Sequence, residues 1–413
     1  MWTSNTITTI DIWSSKIRTI IWYFDSDSNE NFHILWVWIS SSNAIRRWNI
    51  LDMEEFKNNL DSSLEEAEKM AWEQVNWAYI SFNSSSFEVF RNKWVVAVTW
   101  WEISEEDIDR ALEMAKNWVD LPNKEILKVI PEHFAVDLEE WIKNPIWMSA
   151  RKLEVVSNIF SMNLNVLNNI KKAIWDIWIE IYDIYPNLLS SPEWVLTKRQ
   201  KELWVVCIDI WGATTWITVY ENWVLNYSWI VPVWWDNVTN DIALWLRTST
   251  SVAEKLKIDY AELDLESVEW YVDSEFNLSE LNMWEEWEVS KLYLSKIVTA
   301  RYEEIIYFVR EELKRAWKDW MLPEWAICVW WWSKIKWFTD LGKKSLKLPT
   351  FIWLPVSKDD LVDASISDPV FASVIWTMIY SNIYWTNTTA FTLNIWWFFE
   401  SIKKMFKKIM PKN

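Results

Sequence analysis

The sequence predicts an α/β protein made of two like halves, each carrying the same phosphate-binding hairpin. Residues 205–220, VVCIDIWGATTWITVY, set an apolar run (Val205, Val206, Cys207, Ile208) ending in Asp209, then a short turn, then a second strand-like run from Ile217 to Tyr220. A turn of this kind aims successive backbone N–H groups and hydroxyls at a phosphate. Residues 8–21, TTIDIWSSKIRTII, repeat the layout, with Asp11 before Ser14, Ser15 and Lys16 and a β-branched run after them. Two widely separated copies of one supersecondary unit point to a duplicated domain closing on one nucleotide. The third observation is VWWWSKIKW at 329–337, a strand, a turn and a helix start.

In chain order, Ile7–Ile12, Ile17–Phe24 and Phe32–Ile39 read as strands, rich in β-branched and aromatic residues. Met53–Ala71 reads as a helix with Glu54 and Glu55 at the positive end of its dipole, and Ala78–Asn83 as a strand. Residues 84–162 read as a separate α+β insert. It holds a strand at Val95–Thr99, a helix at 103–117 with Ser104 and Asp107 spaced like a capping box, and strands at Glu125–Pro131, Phe134–Leu138 and Lys152–Phe160. A helix at Leu164–Ile174 and a strand at Glu180–Tyr185 complete the first half. After the second hairpin come short helices at Asp236–Leu246 and Ser251–Leu256, and an acidic stretch at 259–290 that reads as an exposed hairpin region. A long helix follows at Ser290–Asp319, a strand or connector at Pro349–Pro355 and a helix at Pro369–Tyr380. Residues 383–394 read as a polar linker, and a basic tail closes the chain.

Glycine and tryptophan usage is far from ordinary. The 413 residues hold 2 Gly and 40 Trp, where average usage would give roughly 29 Gly. The tryptophans cluster in turn-like places: 92–94 (NKW), 192–194 (PEW), 221–223 (ENW), 234–236 (WWD) and 330–333 (WWWS). Trp13, Trp211 and Trp216 stand where a phosphate loop brings its backbone against the ligand, a place for glycine. Most of the tryptophans are therefore expected to stand at glycine positions, as when UGA, read as glycine in some bacterial lineages, is translated as Trp. The net charge of −18 argues against broad nucleic-acid binding. Two Cys and two His give neither disulfide nor metal spacing. No signal peptide and no membrane-spanning run is read, so a cytoplasmic protein is expected.

The first hairpin offers Asp11, Ser14, Ser15 and Lys16; the second offers Asp209, Gly212, Ala213, Thr214 and Thr215. Lys16 neutralises phosphate charge. Asp11 and Asp209 are expected to face each other and hold Mg2+ through water, which that ion sheds reluctantly. Trp331, Trp332 and Ser333 form the third turn, where a glycine backbone would let a base and ribose lie flat and the helix end would favour phosphate.

These pieces, in this order, resemble the actin-like ATPase superfamily. RRWNILD (46–52), EEWIKNPIWMSARKLEV (139–155) and PVWWDNVTNDIA (232–243), with glycine at Trp48, Trp141 and Trp147, resemble signature stretches of the bacterial cell-division FtsA family. The resemblance runs from about Ile7 to Tyr380. It implies actin-like, duplicated ribonuclease-H-like domains around a nucleotide cleft, with ATP and Mg2+ as cofactors. Subdomain 1A would take 5–83 and 163–199, and an inserted subdomain 1C, the SHS2 domain, 84–162. Subdomain 2A would take 200–240 and 305–382, and 2B 241–304. It implies that Glu254 and Lys257 contact ribose and that Arg301 receives the C-terminal peptide of FtsZ, acidic and apolar in kind. No glutamine or acid in 184–200 can be assigned to the attacking water, so the catalytic residue is unknown and at most slow ATPase activity is expected.

The tail is legible without the family. Residues 395–413 put Ile395, Phe398, Phe399, Ile402, Met405, Phe406, Ile409 and Met410 at helical spacing, with Lys403, Lys404, Lys407 and Lys408 on the other face. Five lysines against Glu400 give it +4, which leaves −22 on the rest of the chain. A basic amphipathic helix after a linker reads as an interfacial membrane anchor. FtsA proteins end in such a helix. The implied protein is peripheral, on the cytoplasmic face of the membrane at the division septum. It would polymerise with itself, anchor FtsZ filaments of the Z-ring and meet other division proteins through the insert. An actin-like pilus-assembly ATPase and a sugar or acetate kinase of the same superfamily are the alternatives.

Overall fold

The computed structural model describes residues 6–378 apart from 14–15, 26–27, 43, 47–48, 83, 85, 118–120, 211–214, 232–234, 264–274, 281–287, 317–324, 330–334, 336–337, 354–370, 372–373 and 376. The described residues fall into two compact units. The first holds those up to Trp194 and from Phe371, the second those from Val195 to Trp353.

The first unit opens with β1 (Thr6–Ile12), β2 (Lys16–Asp25) and β3 (Ser28–Ser41), followed by the short pair β4 (Ile45–Arg46) and β5 (Asn49–Ile50), α1 (Met53–Ala71) and β6 (Trp77–Phe82). After the insert come α3 (Leu164–Asp176), β11 (Glu180–Pro186) and α4 (Asn187–Val195). The sheet order is β3-β2-β1-β6-β11. Its first three strands are antiparallel, and β1, β6 and β11 are parallel. The bounds of α1 have local causes. Asp52 accepts hydrogen bonds from the Glu54 and Glu55 amides at its start, and Trp72 closes it in a left-handed conformation. Phe56, Leu60, Leu64 and Ala67 form a buried stripe that packs the helix against β2 and β3. Each large side chain buried there contributes about 1.5–3 kcal/mol.

The insert comprises β7 (Glu88–Ala97), α2 (Glu105–Asn117), β8 (Lys124–Val136), β9 (Glu139–Ile142) and β10 (Lys152–Asn163). Its antiparallel sheet runs β7-β10-β8-β9, with α2 packed on β7 and β10 over a core that includes Ile103, Leu112, Leu153, Val155 and Ile159. The Asp107 carboxylate accepts from the Ser104 amide and hydroxyl, while the Asp107 amide donates to Ser104 Oγ, the capping arrangement expected from the sequence. The two strands read on either side of Glu132 are one strand, β8. Its pairing with β10 is interrupted between Val156 and Ser157, opposite His133 and Pro131. Proline has no N–H for the ladder, so the irregularity absorbs it and the strand continues.

On α2, burial and the charges of Glu105 and Glu106 raise the Asp109 carboxyl to about 6. The folded chain then holds an extra proton between the unfolded carboxylate value of 3.8 and about pH 6, so the ionised group costs stability above that window. Asp109→Asn should raise the melting temperature at pH 7.5 by about 2 °C, since each like-charged pair costs a few tenths of a kcal/mol. The gain should vanish as the pH falls from 6 toward 4. Calorimetric melts at the two pH values check this.

The second unit holds α5 (Lys198–Glu202), β12 (Val205–Ile210), β13 (Thr215–Glu221), β14 (Val224–Val231), α6 (Trp235–Leu246), α7 (Thr250–Asp259), β15 (Glu275–Asn277), β16 (Glu288–Ser290), α8 (Lys291–Arg315), β17 (Ala326–Val329), α9 (Phe338–Leu346) and β18 (Thr350–Ile352). Its main sheet runs β14-β13-β12-β17-β18. The first three strands are again antiparallel and the last two again parallel to the central one. This is the strand order of the first sheet. The acidic stretch contains the antiparallel pair β15–β16. Strands β4, β5, β9 and β14 and helices α4 and α5 are additions to what the sequence predicts. Phe371 belongs to the first unit, its ring 5.0 Å from the Arg18 guanidinium.

Among the described residues eleven non-glycine residues have positive φ, and six of them are tryptophans: Trp72, Trp101, Trp141, Trp147, Trp178 and Trp223. Trp72 and Trp178 are 93% and 89% exposed, so no burial holds them there. Asn222 and Trp223 are the two loop residues between β13 and β14, both left-handed. That is the two-residue hairpin turn that Asn-Gly favours.

Candidate functional site

In the first hairpin Asp11 pairs with Arg18 across β1–β2, and the Trp13 amide donates to the Lys16 carbonyl at 2.8 Å to close the turn. Asp11 also lies beside Ser81 in the parallel register of β1 and β6. The second hairpin repeats this. Asp209 pairs with Trp216 across β12–β13, Ile210 pairs with Thr215 at the turn, and Asp209 lies beside Val329 of the parallel β17. Both aspartates thus stand one residue before the end of the central strand of a sheet, where α/β sheets bind ligands. Both are buried, as is Thr215, while Lys16 is exposed. Ser14, Ser15, Gly212, Ala213, Thr214, Trp331, Trp332 and Ser333, expected to complete the phosphate and adenosine turns, lie outside the described residues.

Asp11 is held on all sides. Its Oδ2 accepts from the Trp13 indole at 2.6 Å and lies 3.7 Å from Arg18 Nη1. Its Oδ1 accepts from Asn187 Nδ2 at 3.1 Å. Burial raises its pKa, against the pull of Arg18 and the hydrogen bonds of Asn187, Trp13 and Ser81. The Arg18 guanidinium lies over the Trp13 ring, 3.1 Å from its centroid. Trp13 therefore fills the space beside the carboxylate that a glycine would leave open.

Glu254 and Lys257 do come together on α7. Lys257 is fully buried, and its ammonium donates to Glu254 and to Thr239 of α6, whose hydroxyl donates to Glu254 Oε2 at 2.6 Å. Glu254 is the more exposed partner, so it is the member able to meet a ligand. Arg301 of α8 forks onto Asp241 of α6, with Nε and Nη2 at 2.6 and 3.0 Å, and also pairs with Glu304. The Asp241 hydrogen bonds raise the arginine's already high pKa. The membrane-facing set Phe398, Phe399, Ile402, Lys403, Lys404, Met405, Phe406, Lys407, Lys408 and Ile409 lies outside the described residues, as does the linker. No described helix is long and apolar enough to cross a membrane.

Sequence reasoning missed Arg18, Ser81, Asn187 and Asp241. Arg18 sits in a β-branched run, and its burial has no local signal. Asn187 was open to detection as the carboxamide in the 184–200 connection, where the search was for glutamine or an acid.

Residues 206–375 match the profile of the family described as "Cell division protein FtsA", and residues 84–161 that of "SHS2 domain inserted in FTSA". The chain is similar to FtsA of Bacillus subtilis (strain 168), 30% identical over 310 residues, 74% of this chain and 69% of that one.

The chain belongs to the FtsA family of cell division proteins.

FtsA of Pseudomonas aeruginosa is 25% identical over 371 residues (90% of this chain, 88% of that one), and FtsA of Borreliella burgdorferi 26% over 411 (99% and 96%). Solved structures show the actin-like fold. The chain in a PilM–PilN type IV pilus biogenesis complex matches with TM-score 0.65 at 10% identity, covering 91% of this chain and 98% of that one. MreB5 of Spiroplasma citri bound to AMPPNP matches with 0.53 at 12%, covering 94% and 99%.

Proposed function

We propose that this FtsA-family chain binds ATP with Mg2+ through its two aspartate hairpins, assembles with copies of itself at the inner face of the cytoplasmic membrane, and anchors FtsZ there at the division septum. The repetition of Asp11 and Asp209 carries the nucleotide reading. Each buried carboxylate stands one residue before the end of the central strand of a sheet of the same strand order, beside a parallel strand. A buried carboxylate near the end of a central strand suits a hydrated Mg2+ on a polyphosphate. MreB5, of the same fold, is solved with AMPPNP. Glu254 and Lys257 serve the ribose, and Ser14, Ser15, Lys16, Gly212, Ala213, Thr214, Thr215, Trp331, Trp332 and Ser333 serve the phosphates and the adenosine. The nucleotide acts mainly as an assembly ligand, with no catalytic residue assigned.

Arg301 is the FtsZ contact. It is partly exposed between α6 and α8, and an incoming acidic peptide would exchange with Asp241 on its guanidinium. Other division proteins meet the inserted subdomain at 84–161. The left-handed backbone at Trp72, Trp101, Trp141, Trp147, Trp178 and Trp223, the last in an Asn222–Trp223 turn, supports glycine at these six positions in the chain as its own cell translates it. Such a chain should bind MgATP in a calorimetric titration. Asp209→Asn should weaken that binding at least tenfold. Equal affinity would overturn the nucleotide reading.

A further inference from the structure

The packed helices α6 and α8 bury Val238 and Ile242 of the one and Val298, Tyr302 and Ile305 of the other. These apolar side chains fix the two backbones. Asp241 and Arg301 stand beside them with side chains 23% and 24% exposed, so their ion pair is not what places either residue. A guanidinium presents a side-on fork, Nε with Nη2, that matches the two oxygens of a carboxylate. On Arg301 that fork is filled by Asp241, with Oδ2 on Nε at 2.6 Å and Oδ1 on Nη2 at 3.0 Å. Glu304, one turn along α8, accepts from Nη1. Three of the five N–H donors are thereby given to carboxylates of the chain itself. One positive and two negative charges leave the cluster at −1, so an approaching peptide carboxylate meets a net negative group rather than a bare cation.

We infer that Asp241 is a built-in competitor for the acidic peptide, occupying on Arg301 the place that the peptide's carboxylate takes. The inference rests on the reading of Arg301 as the peptide contact. A carboxylate that held the arginine out for a ligand would leave the fork open; this one fills it. Binding is then an exchange of one carboxylate for another on the same two N–H groups, and the hydrogen bonds gained match those lost. Asp241, being part of the chain, competes at a high effective concentration. A segment that is merely acidic cannot displace it. A peptide that adds apolar contacts to its acid can, so the competitor makes Arg301 selective for the second kind.

Fluorescence anisotropy of a labelled synthetic FtsZ C-terminal peptide with the full chain tests this. Asp241→Asn keeps the size and one acceptor for the guanidinium but removes the charge. It should tighten binding about tenfold, the scale of one charge-assisted hydrogen bond that binding no longer breaks. Glu304→Gln should tighten it about twofold, and keeps the test open should Asp241→Asn fail to fold. A peptide whose acidic residues are changed to amides should gain nothing from Asp241→Asn, and neither should the acidic peptide when Arg301→Ala is also present. Equal or weaker binding by a folded Asp241→Asn chain, or a gain that persists without Arg301 or without the peptide's acids, would overturn the competition; the reading of Arg301 then stands if Arg301→Ala alone weakens binding. Binding unchanged by Arg301→Ala alone, or no binding by either the unsubstituted or the Asp241→Asn chain, would overturn that reading and this inference with it.

Discussion

Replacing Trp72, Trp101, Trp141, Trp147, Trp178 and Trp223 together by glycine should stabilise the chain by about 3–6 kcal/mol. A left-handed backbone costs an L residue roughly 1–2 kcal/mol, and glycine nothing. Glycine's greater freedom in the unfolded chain takes back part of each gain, which leaves about 0.5–1 kcal/mol per site. The sites spread over a helix end, the insert and a hairpin turn, so the gains should largely add. A domain's whole stability is about 5–15 kcal/mol, so the sum is large on that scale. The direction is unusual, because six large-to-small changes ordinarily weaken a protein. Urea unfolding of the two forms measures it, and a loss of stability in the glycine form would count against glycine at these positions. The gene gives a second reading: UGG codons at Trp13, Trp211 and Trp331 would sink the recoding.

What was legible in the sequence was what is local. The helix at Met53–Ala71 was readable to the residue because its acidic first turn follows Asp52 and its apolar positions keep helical spacing. Both hairpins were readable because an alternating or β-branched run, a carboxylate and a polar turn are contiguous. The long strand β8 was not, since Pro131 reads as a stop when the neighbouring strand that accommodates it is unknown. Nor was β14, whose Asn226, Tyr227 and Ser228 break the apolar run and whose pairing to β13 supplies the order. The surroundings of Asp11 were the least legible part of the site. Asn187 reaches it across 176 residues, and its buried place comes from β1, β6 and β11 ending together. A polar residue at the head of a helix looks like a cap in sequence; the sheet gives it a different partner.

Removing residues 395–413 should release the chain from vesicles that contain anionic lipid. The segment sets four lysines opposite a face with three phenylalanines, and carries +4 against −22 for the rest of the chain. At an anionic surface each lysine contributes about 1 kcal/mol, so the four together account for about a thousandfold in partitioning. The acidic body is itself repelled by that surface, so nothing else in its net charge replaces the segment. The apolar face and the charges separate by composition. Changing Lys403, Lys404, Lys407 and Lys408 to glutamate keeps the apolar face and should abolish binding to anionic vesicles, while Phe398→Ser with Phe406→Ser keeps the charge and weakens binding to neutral and anionic vesicles alike. Raising the salt from 0.1 to 0.5 M should weaken only the contribution of the charges, because it shortens the reach of the surface field. Co-sedimentation with vesicles reads all of these. Binding unchanged by the deletion would count against the anchor, and would favour a helix that pairs with its own acidic body.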